Sequence, residues 1–310
     1  MSYIEEYVPI NGINQYFLHY PSDHEEVVLM LHGGPGSSTA MGGHTLKEYW
    51  DFANLVYYDQ RGTLKTLKRN VVKRGELNID TLLEDLRQTI AYIKEKYQTN
   101  RIILWGQSWG SVLGTQYVLK YPSDVFAYVG NGHVVDTRRE MRASYDHLRQ
   151  TLETKGAKGD LKKLDALGDY PNVSLENYNN HMFRFGRLQS KHGQAINVSK
   201  LLRVALKSPV FKLTDLPMYM KSIKANKDFQ DSLADYTIWD ITQYDLPVYY
   251  ILGRDDWQTP STTAAEYFEK INAPHKKLYW VEDAGHITDI DNPKGFCDVM
   301  REIVEELRRR

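Results

Sequence analysis

The chain has 310 residues, 42% of them hydrophobic and 25% charged, and its 39 Lys plus Arg against 40 Asp plus Glu leave a formal net charge of -1. That profile belongs to a globular protein and excludes disordered, collagen-like and coiled-coil chains. The balance gives no long-range field to steer the whole molecule onto nucleic acid or an anionic membrane, so the expected partner is a small molecule or short peptide chosen locally.

The N-terminus has no basic region ahead of an apolar run, and no uninterrupted apolar stretch of about 18 residues occurs, so neither a signal peptide nor a membrane span is expected. Cys297 is the single cysteine, which excludes an intramolecular disulfide and a zinc site of Cys/His spacing. A cytoplasmic protein without metal or organic cofactor is the expectation. Oligomeric state is left open by the sequence.

In chain order, Val27–Leu31, Asn54–Tyr58 and residues 101–105 read as buried strands. Between the last two, Asp80 is placed to cap a helix whose Leu82, Leu83, Leu86, Ile90, Ile93 and Tyr97 fall on one face. Strand, helix, strand at that spacing implies a parallel pair with a right-handed crossover. Residues 134–245 are polar and helical, broken at Gly156, Gly159, Gly168, Pro171, Gly193, Pro209 and Pro217. They read as a helical cap inserted between core segments 1–133 and 246–310; a separate domain with its own core is the other reading. The core pattern resumes with a strand at 247–252, a helix at 261–271, a strand at 277–281 and a closing helix from Pro293. Cys297 is expected inside that helix as a small core residue. Arg308, Arg309 and Arg310 are expected to form its solvated end.

Gly106, Ser108 and Gly110 form a G-x-S-x-G directly after the strand at 101–105 and before a helical run. A serine on such a tight turn has its hydroxyl raised above the sheet, and the following helix aims its amide-rich end at the same place. A helix N-cap is the structural alternative for Ser108. A hydroxyl nucleophile needs a base, normally a histidine held by a carboxylate, and for a serine on a strand-to-helix turn of this fold class the chain order is Ser, acid, His. Asp256 follows the strand at 247–252, and His286 follows the next strand in a glycine-hinged loop. Asp255 is adjacent to Asp256, but the spacing to Pro260 favours Asp256. The oxyanion donors expected are the backbone N–H of Trp109 and that of Gly34, in the His32-Gly33-Gly34-Pro35-Gly36 loop after Val27–Leu31.

These motifs, with Asp59-Gln60-Arg61-Gly62, Gly253-Arg254-Asp255-Asp256 and Ala284-Gly285-His286, resemble the α/β-hydrolase superfamily and, within it, the proline iminopeptidase (prolyl aminopeptidase) branch. The resemblance implies an α/β-hydrolase fold: a mostly parallel central sheet of about eight strands flanked by helices, with an inserted helical cap. It also implies release of N-terminal proline or small residues from short peptides. By position, Ser108 looks like the nucleophile, Asp256 the acid, His286 the base, and the amides of Gly34 and Trp109 the oxyanion hole, with Gly33 beside the substrate. Two features depart from that branch. After Gly62 the chain reads Thr63-Leu64-Lys65-Thr66, where a further glycine and a serine are usual, and no Trp-x-x-Trp-Glu-like pattern occurs in the cap. The cap's glutamates are Glu140, Glu153 and Glu176. Glu140 either reaches the site and binds the substrate or, the reading its spacing favours, is a surface i,i+4 charge partner. Tyr178, His181, Met182, Phe183 and Phe185 either line the pocket or, as helical spacing favours, pack cap on core.

The expected function is a serine hydrolase acting through an acyl-enzyme, with a carboxylesterase or amidase on small acyl substrates as the alternative and a non-catalytic ligand-binding relative as the remote one. Dehalogenases and epoxide hydrolases are disfavoured, because those relatives carry an aspartate where Ser108 stands.

Overall fold

The computed structural model describes residues 2–73, 75–168, 170–172 and 175–310, without the side chains of 175–179. Asn11 and Gly12 both have positive φ (44° and 77°), and this turn joins β1 (Ile4–Ile10) to β2 (Ile13–Tyr20) as an antiparallel hairpin. Asn-Gly is the pair that a two-residue type I′ turn selects. The hairpin is absent from the expected strands. The strands that follow were legible: β3 (Val27–Leu31) and β4 (Asn54–Tyr58) are buried along their whole length. The helix α1 (Leu64–Arg69) starts within the unusual segment after Gly62, where the Lys65 N–H donates to Asp59 Oδ2 (2.8 Å) and the Thr66 hydroxyl to the Asp59 carbonyl (2.7 Å).

In α2 (Ile79–Tyr97) the cap is Asn78, whose side chain accepts from the Thr81 N–H, while Asp80 stands in the first turn. Next come β5 (Ile102–Gln107), α3 (Trp109–Lys120) and β6 (Ala127–Asn131). Among the described residues, only helices and turns fill the way to β7 (Val248–Gly253): α4 (Thr137–Thr154), α5 (Lys158–Asp165), α6 (Leu175–Lys191), α7 (Val198–Leu206), α8 (Leu216–Ala225) and α9 (Lys227–Asp231). Then α10 (Ser261–Lys270), β8 (Lys276–Val281), α11 (Thr288–Asp291) and α12 (Pro293–Arg308) complete the chain.

The eight strands form one sheet in the order β1-β2-β4-β3-β5-β6-β7-β8, with β1 and β2 antiparallel to their neighbours and the rest parallel. The expected β4–β5 pairing is corrected here: β3 lies between them and is parallel to both. An all-apolar strand such as β3 takes the sheet interior, where both faces are covered. From β3 the chain runs to one side, and from β5 to the other. The loops after these two strands therefore face each other across a switch point, where open α/β sheets bind ligands.

One face of the sheet is covered by α2, α3 and α10, with Leu82, Leu86, Ile90, Leu113 and Tyr267 in its core. On the other face α12 packs Phe296, Cys297, Met300 and Ile303 against Trp105 and Tyr249. The arginine end of α12 is not merely solvated: Arg308 pairs with the buried Glu26 (2.9 Å). The inserted helices have a small core of their own, including Leu148, Leu152, Leu164 and Phe185. They are also tied to the sheet layer. Ala205 and Phe211 pack on Met41 and Leu64, and the Leu64 N–H donates to Ser222 Oγ (2.7 Å).

Arg61 and Asp85 form a buried two-pronged pair, Nε to Oδ2 and Nη2 to Oδ1 at 2.8 Å each, and Arg61 also donates to the Asn11 carbonyl. Removing one partner strands the other charge in the interior. Asp85→Ala is expected to cost about 3–5 kcal/mol in urea denaturation, which would show as a midpoint shift at unchanged slope.

Candidate active site

Ser108 occupies the turn between β5 and α3 at φ 53° and ψ -123°, a conformation an L-residue holds only under constraint from its surroundings. The constraint comes from close packing. A Cβ on Gly106 would stand 2.6 Å from the Gly110 carbonyl oxygen, and one on Gly110 would stand 1.9 Å from that of Leu31. The turn is further held by the Ser108 N–H donating to the Asn131 carbonyl (3.0 Å) and by the Ser111 N–H and hydroxyl donating to the Ser108 carbonyl.

Asp256 and His286 come together from the loops after β7 and β8. His286 Nδ1 lies 2.9 Å from Asp256 Oδ2, and both side chains are buried. Asp256 is held by four donors: the N–H groups of Gln258 and Thr259 on Oδ1, and the Thr259 hydroxyl and His286 on Oδ2. Asp255, by contrast, is exposed. Burial by itself would lower the His286 pKa, but the charge and hydrogen bond of Asp256 outweigh it and set the imidazole above its ordinary value. Its Nε2 is buried and has no hydrogen-bond partner among the described residues. Ser108 and His286 border one cavity of about 200 Å³, and no Ser108–His286 hydrogen bond is made.

Gly33 and Gly34 sit opposite this serine. A Cβ on Gly33 would lie 3.2 Å from Ser108 Cβ, and Gly34 has φ 118°, where a side chain would be strained. Among the described residues, the amides of Gly34 and Trp109 take no hydrogen-bond acceptor. The loop's shape is set by His32, whose Nδ1 donates to the Gly33 carbonyl (2.8 Å) while Nε2 accepts from the Gln60 N–H (3.0 Å). Burial lowers this imidazole to about 4, so it stays neutral in one tautomer. Gln60 also accepts from the Trp109 indole N–H (2.9 Å), linking the two loops that flank Ser108. Sequence reasoning marked 59–62 only as a motif and gave Thr259 no role. A polar triplet directly after a buried strand was the available signal for Gln60.

Ser108 also borders a cavity of about 820 Å³ between α3 and the inserted helices. Glu140 lines it and is only 4% exposed, which overturns the surface charge-partner reading. The reason is the entry of α4: Glu140 Oε1 accepts the N–H groups of Val135 (2.6 Å) and Asp136 (3.4 Å), folding the carboxyl back over the start of its own helix. Its other oxygen takes no hydrogen bond from a described residue. Met182, Phe183 and Phe185 line the same cavity, and Phe185 also packs in the insertion's core. The side chains of Glu176 and Tyr178 lie outside the described residues; Glu153 is exposed, and His181 is not among the lining residues.

Burial pushes the Glu140 carboxyl up to about 8 from the ordinary 4.5. Within that window the folded chain holds a proton that the unfolded chain has released, so stability falls as pH rises through it. Asp59 and Asp289, also buried and raised to about 6, slope the same way over a narrower range. The buried imidazoles of His19, His32 and His133, lowered by burial, slope the other way up to the ordinary imidazole value, so melting temperature is expected to fall with pH from about 7 to about 8, where Glu140 acts unopposed. Glu140→Gln should flatten that fall; an unchanged slope would remove Glu140 from the account.

Among the described residues, no group of three or more His, Cys, Asp or Glu is placed to hold a metal ion. A family model described as alpha/beta hydrolase fold matches residues 26–293. The chain is 24% identical to a probable aminopeptidase of Bacillus subtilis, over 88% of this chain and 87% of that protein. It is 23% identical to a proline iminopeptidase of Saccharolobus solfataricus, over 98% and 93%. Among solved structures, a proline iminopeptidase-related protein from Thermus thermophilus superposes with a TM-score of 0.69 at 18% identity, covering 99% of both chains. Eight strands in this order, the switch-point site and the match across most of the length converge on one conclusion: the chain belongs to the alpha/beta hydrolase family.

Proposed function

We propose that the protein is a serine hydrolase that releases small N-terminal residues from short peptides. Ser108 Oγ attacks the carbonyl carbon while His286 Nε2 takes its proton, and Asp256 holds the opposite nitrogen and stabilises the imidazolium. The amides of Gly34 and Trp109 receive the oxyanion. His286 then gives the proton to the leaving amine, and a water activated by the same nitrogen releases the acyl group from Ser108. The inserted helices act as a cap that closes the substrate cavity and keeps bulk water out.

The observation that carries the aminopeptidase reading is the buried Glu140 carboxyl in the cavity bordered by Ser108, with one oxygen left for a substrate amine. A buried carboxylate facing an ammonium makes a charge-assisted hydrogen bond that a blocked amine cannot replace. The relatives' names point the same way. An esterase reading is favoured by a different feature: Val112, Met141, Met182, Phe185 and Leu233 make much of the cavity wall apolar, and a carboxyl raised to about 8 is mostly neutral at pH 7.

Proline and alanine arylamides, their N-acetyl forms and short p-nitrophenyl esters separate the two. Free-amine arylamides are expected to turn over, with N-acetylation lowering kcat/KM by roughly 100-fold, the scale of a lost charged hydrogen bond. Glu140→Gln should lose far more on arylamides than on esters. Turnover of esters alone would decide for the second reading.

A further inference from the structure

The whole-chain charge balance conceals a local excess. Residues 198–224 contain Lys200, Arg203, Lys207, Lys212, Lys221 and Lys224 against a single acid, Asp215. Asp215 is buried, with its carboxylate accepting the Lys212 N–H and lying 3.5 Å from Lys68, so it offsets little of the exposed charge. Lys200 is paired with Asp291. Lys207, Lys212, Lys221 and Lys224 are exposed and have no carboxylate partner among the described residues.

The same segment holds apolar side chains in water. On α7, Val198, Leu202 and Leu206 recur every fourth residue, and Leu213, Leu216 and Met220 form a second stripe leading into α8; the six are between 42% and 68% exposed. The opposite sides of these helices are already satisfied, with Leu201, Ala205, Phe211, Met218 and Tyr219 in one cluster on Met41 and Leu64. Packing of the insertion therefore accounts for the inner stripes and not for the outer ones. Val198 and the exposed Phe183 also line the cavity bordered by Ser108, which puts its opening beside this face.

An apolar stripe flanked by unpaired lysines is the chemistry of a helix lying in a membrane interface, where the stripe enters the acyl boundary and the cations meet lipid phosphates. We propose that α7, α8 and the segment joining them form a docking surface for an anionic lipid bilayer. Charge complementarity favours this occupant over a second copy of the chain, because a two-fold contact would set the same lysines against one another. Peripheral docking needs no spanning segment, and no described helix is long and apolar enough to cross a membrane. The surface is independent of the reaction proposed above.

Co-sedimentation of the full chain with phosphatidylcholine vesicles, and with phosphatidylcholine–phosphatidylglycerol vesicles, tests it. Binding is expected only to the anionic vesicles, weakening as salt rises. Each lysine contributes roughly fivefold to partitioning, so changing Lys207, Lys212, Lys221 and Lys224 together to glutamine should weaken binding by at least about 100-fold. Leu202→Gln, Leu206→Gln and Met220→Gln combined should abolish it with every lysine intact, and circular dichroism and melting temperature should show both variants folded. No binding to anionic vesicles, equal binding to neutral ones, or binding untouched by both sets overturns the proposal. So does a lipid-free dimer that Leu202→Gln disperses, which would assign the face to a second copy.

Discussion

Ser108→Ala is expected to lower kcat for a short p-nitrophenyl ester by about 10⁴-fold or more, leaving the melting temperature nearly unchanged. The size follows from the proposed role: if Ser108 is the nucleophile, without its hydroxyl no acyl-enzyme forms, and what remains is catalysis by the oxyanion donors and binding alone. The small stability effect follows from position. Ser108 is only partly buried, its side chain makes no hydrogen bond within the turn, and the strained backbone is held by Gly106, Gly110 and Asn131. His286→Ala should lose a comparable factor, and the double variant scarcely more, because groups acting as one unit are not additive. Stopped-flow hydrolysis with a burst of p-nitrophenol in the wild type checks all three. Persistent turnover in Ser108→Ala would sink the assigned nucleophile. The acid limb of the kcat/KM profile should lie above the ordinary imidazole value, since His286 must be neutral to accept the proton and its pKa is raised.

Gly110→Ala should have the largest effect on stability. The new methyl would sit 1.9 Å from the Leu31 oxygen, 2.6 Å from its carbon and 3.0 Å from the His32 oxygen. All three are backbone atoms of β3 and the loop after it, so nothing flexible can give way, and α3 must move off the sheet. A cost above about 5 kcal/mol is expected, among the exceptional values for one substitution and a large part of a typical domain's 5–15 kcal/mol. Insoluble expression or loss of a cooperative transition is the readout. Gly159→Ala is the control: it lies in α5 with nothing within 4 Å of the added Cβ. There the better helix former should be neutral or slightly stabilising.

Local signals carried the strands and the serine turn, because a buried strand needs an unbroken apolar run and a tight strand-to-helix turn needs small residues on both sides of the serine. They also separated Asp256, whose carboxylate is held by its own turn, from the exposed Asp255. Asn11 and Gly12 were equally local, and the hairpin they make was readable though it was not read. The order of β3, β4 and β5 was not local, since it depends on which strand has both edges paired at long range. Glu140 was misjudged for a related reason. Its spacing on α4 suits a surface ion pair, and only the direction in which that helix leaves β6 turns the carboxyl inward. The Gln60 contacts to His32 and Trp109 join loops from different strands, as does the approach of the Thr259 hydroxyl to His286 Nδ1 (3.1 Å), so no single window of sequence contains them.

Ser108, Asp256 and His286 all stand at the ends of β5, β7 and β8, whereas Glu140 and much of the large cavity's wall come from the stretch between β6 and β7. On the proposed function, reaction and selectivity are thus written in separate stretches of the gene. A recombination that exchanged the intervening stretch would deliver new substrates to an unaltered set of reacting atoms, and a family built this way can diversify without rediscovering its chemistry.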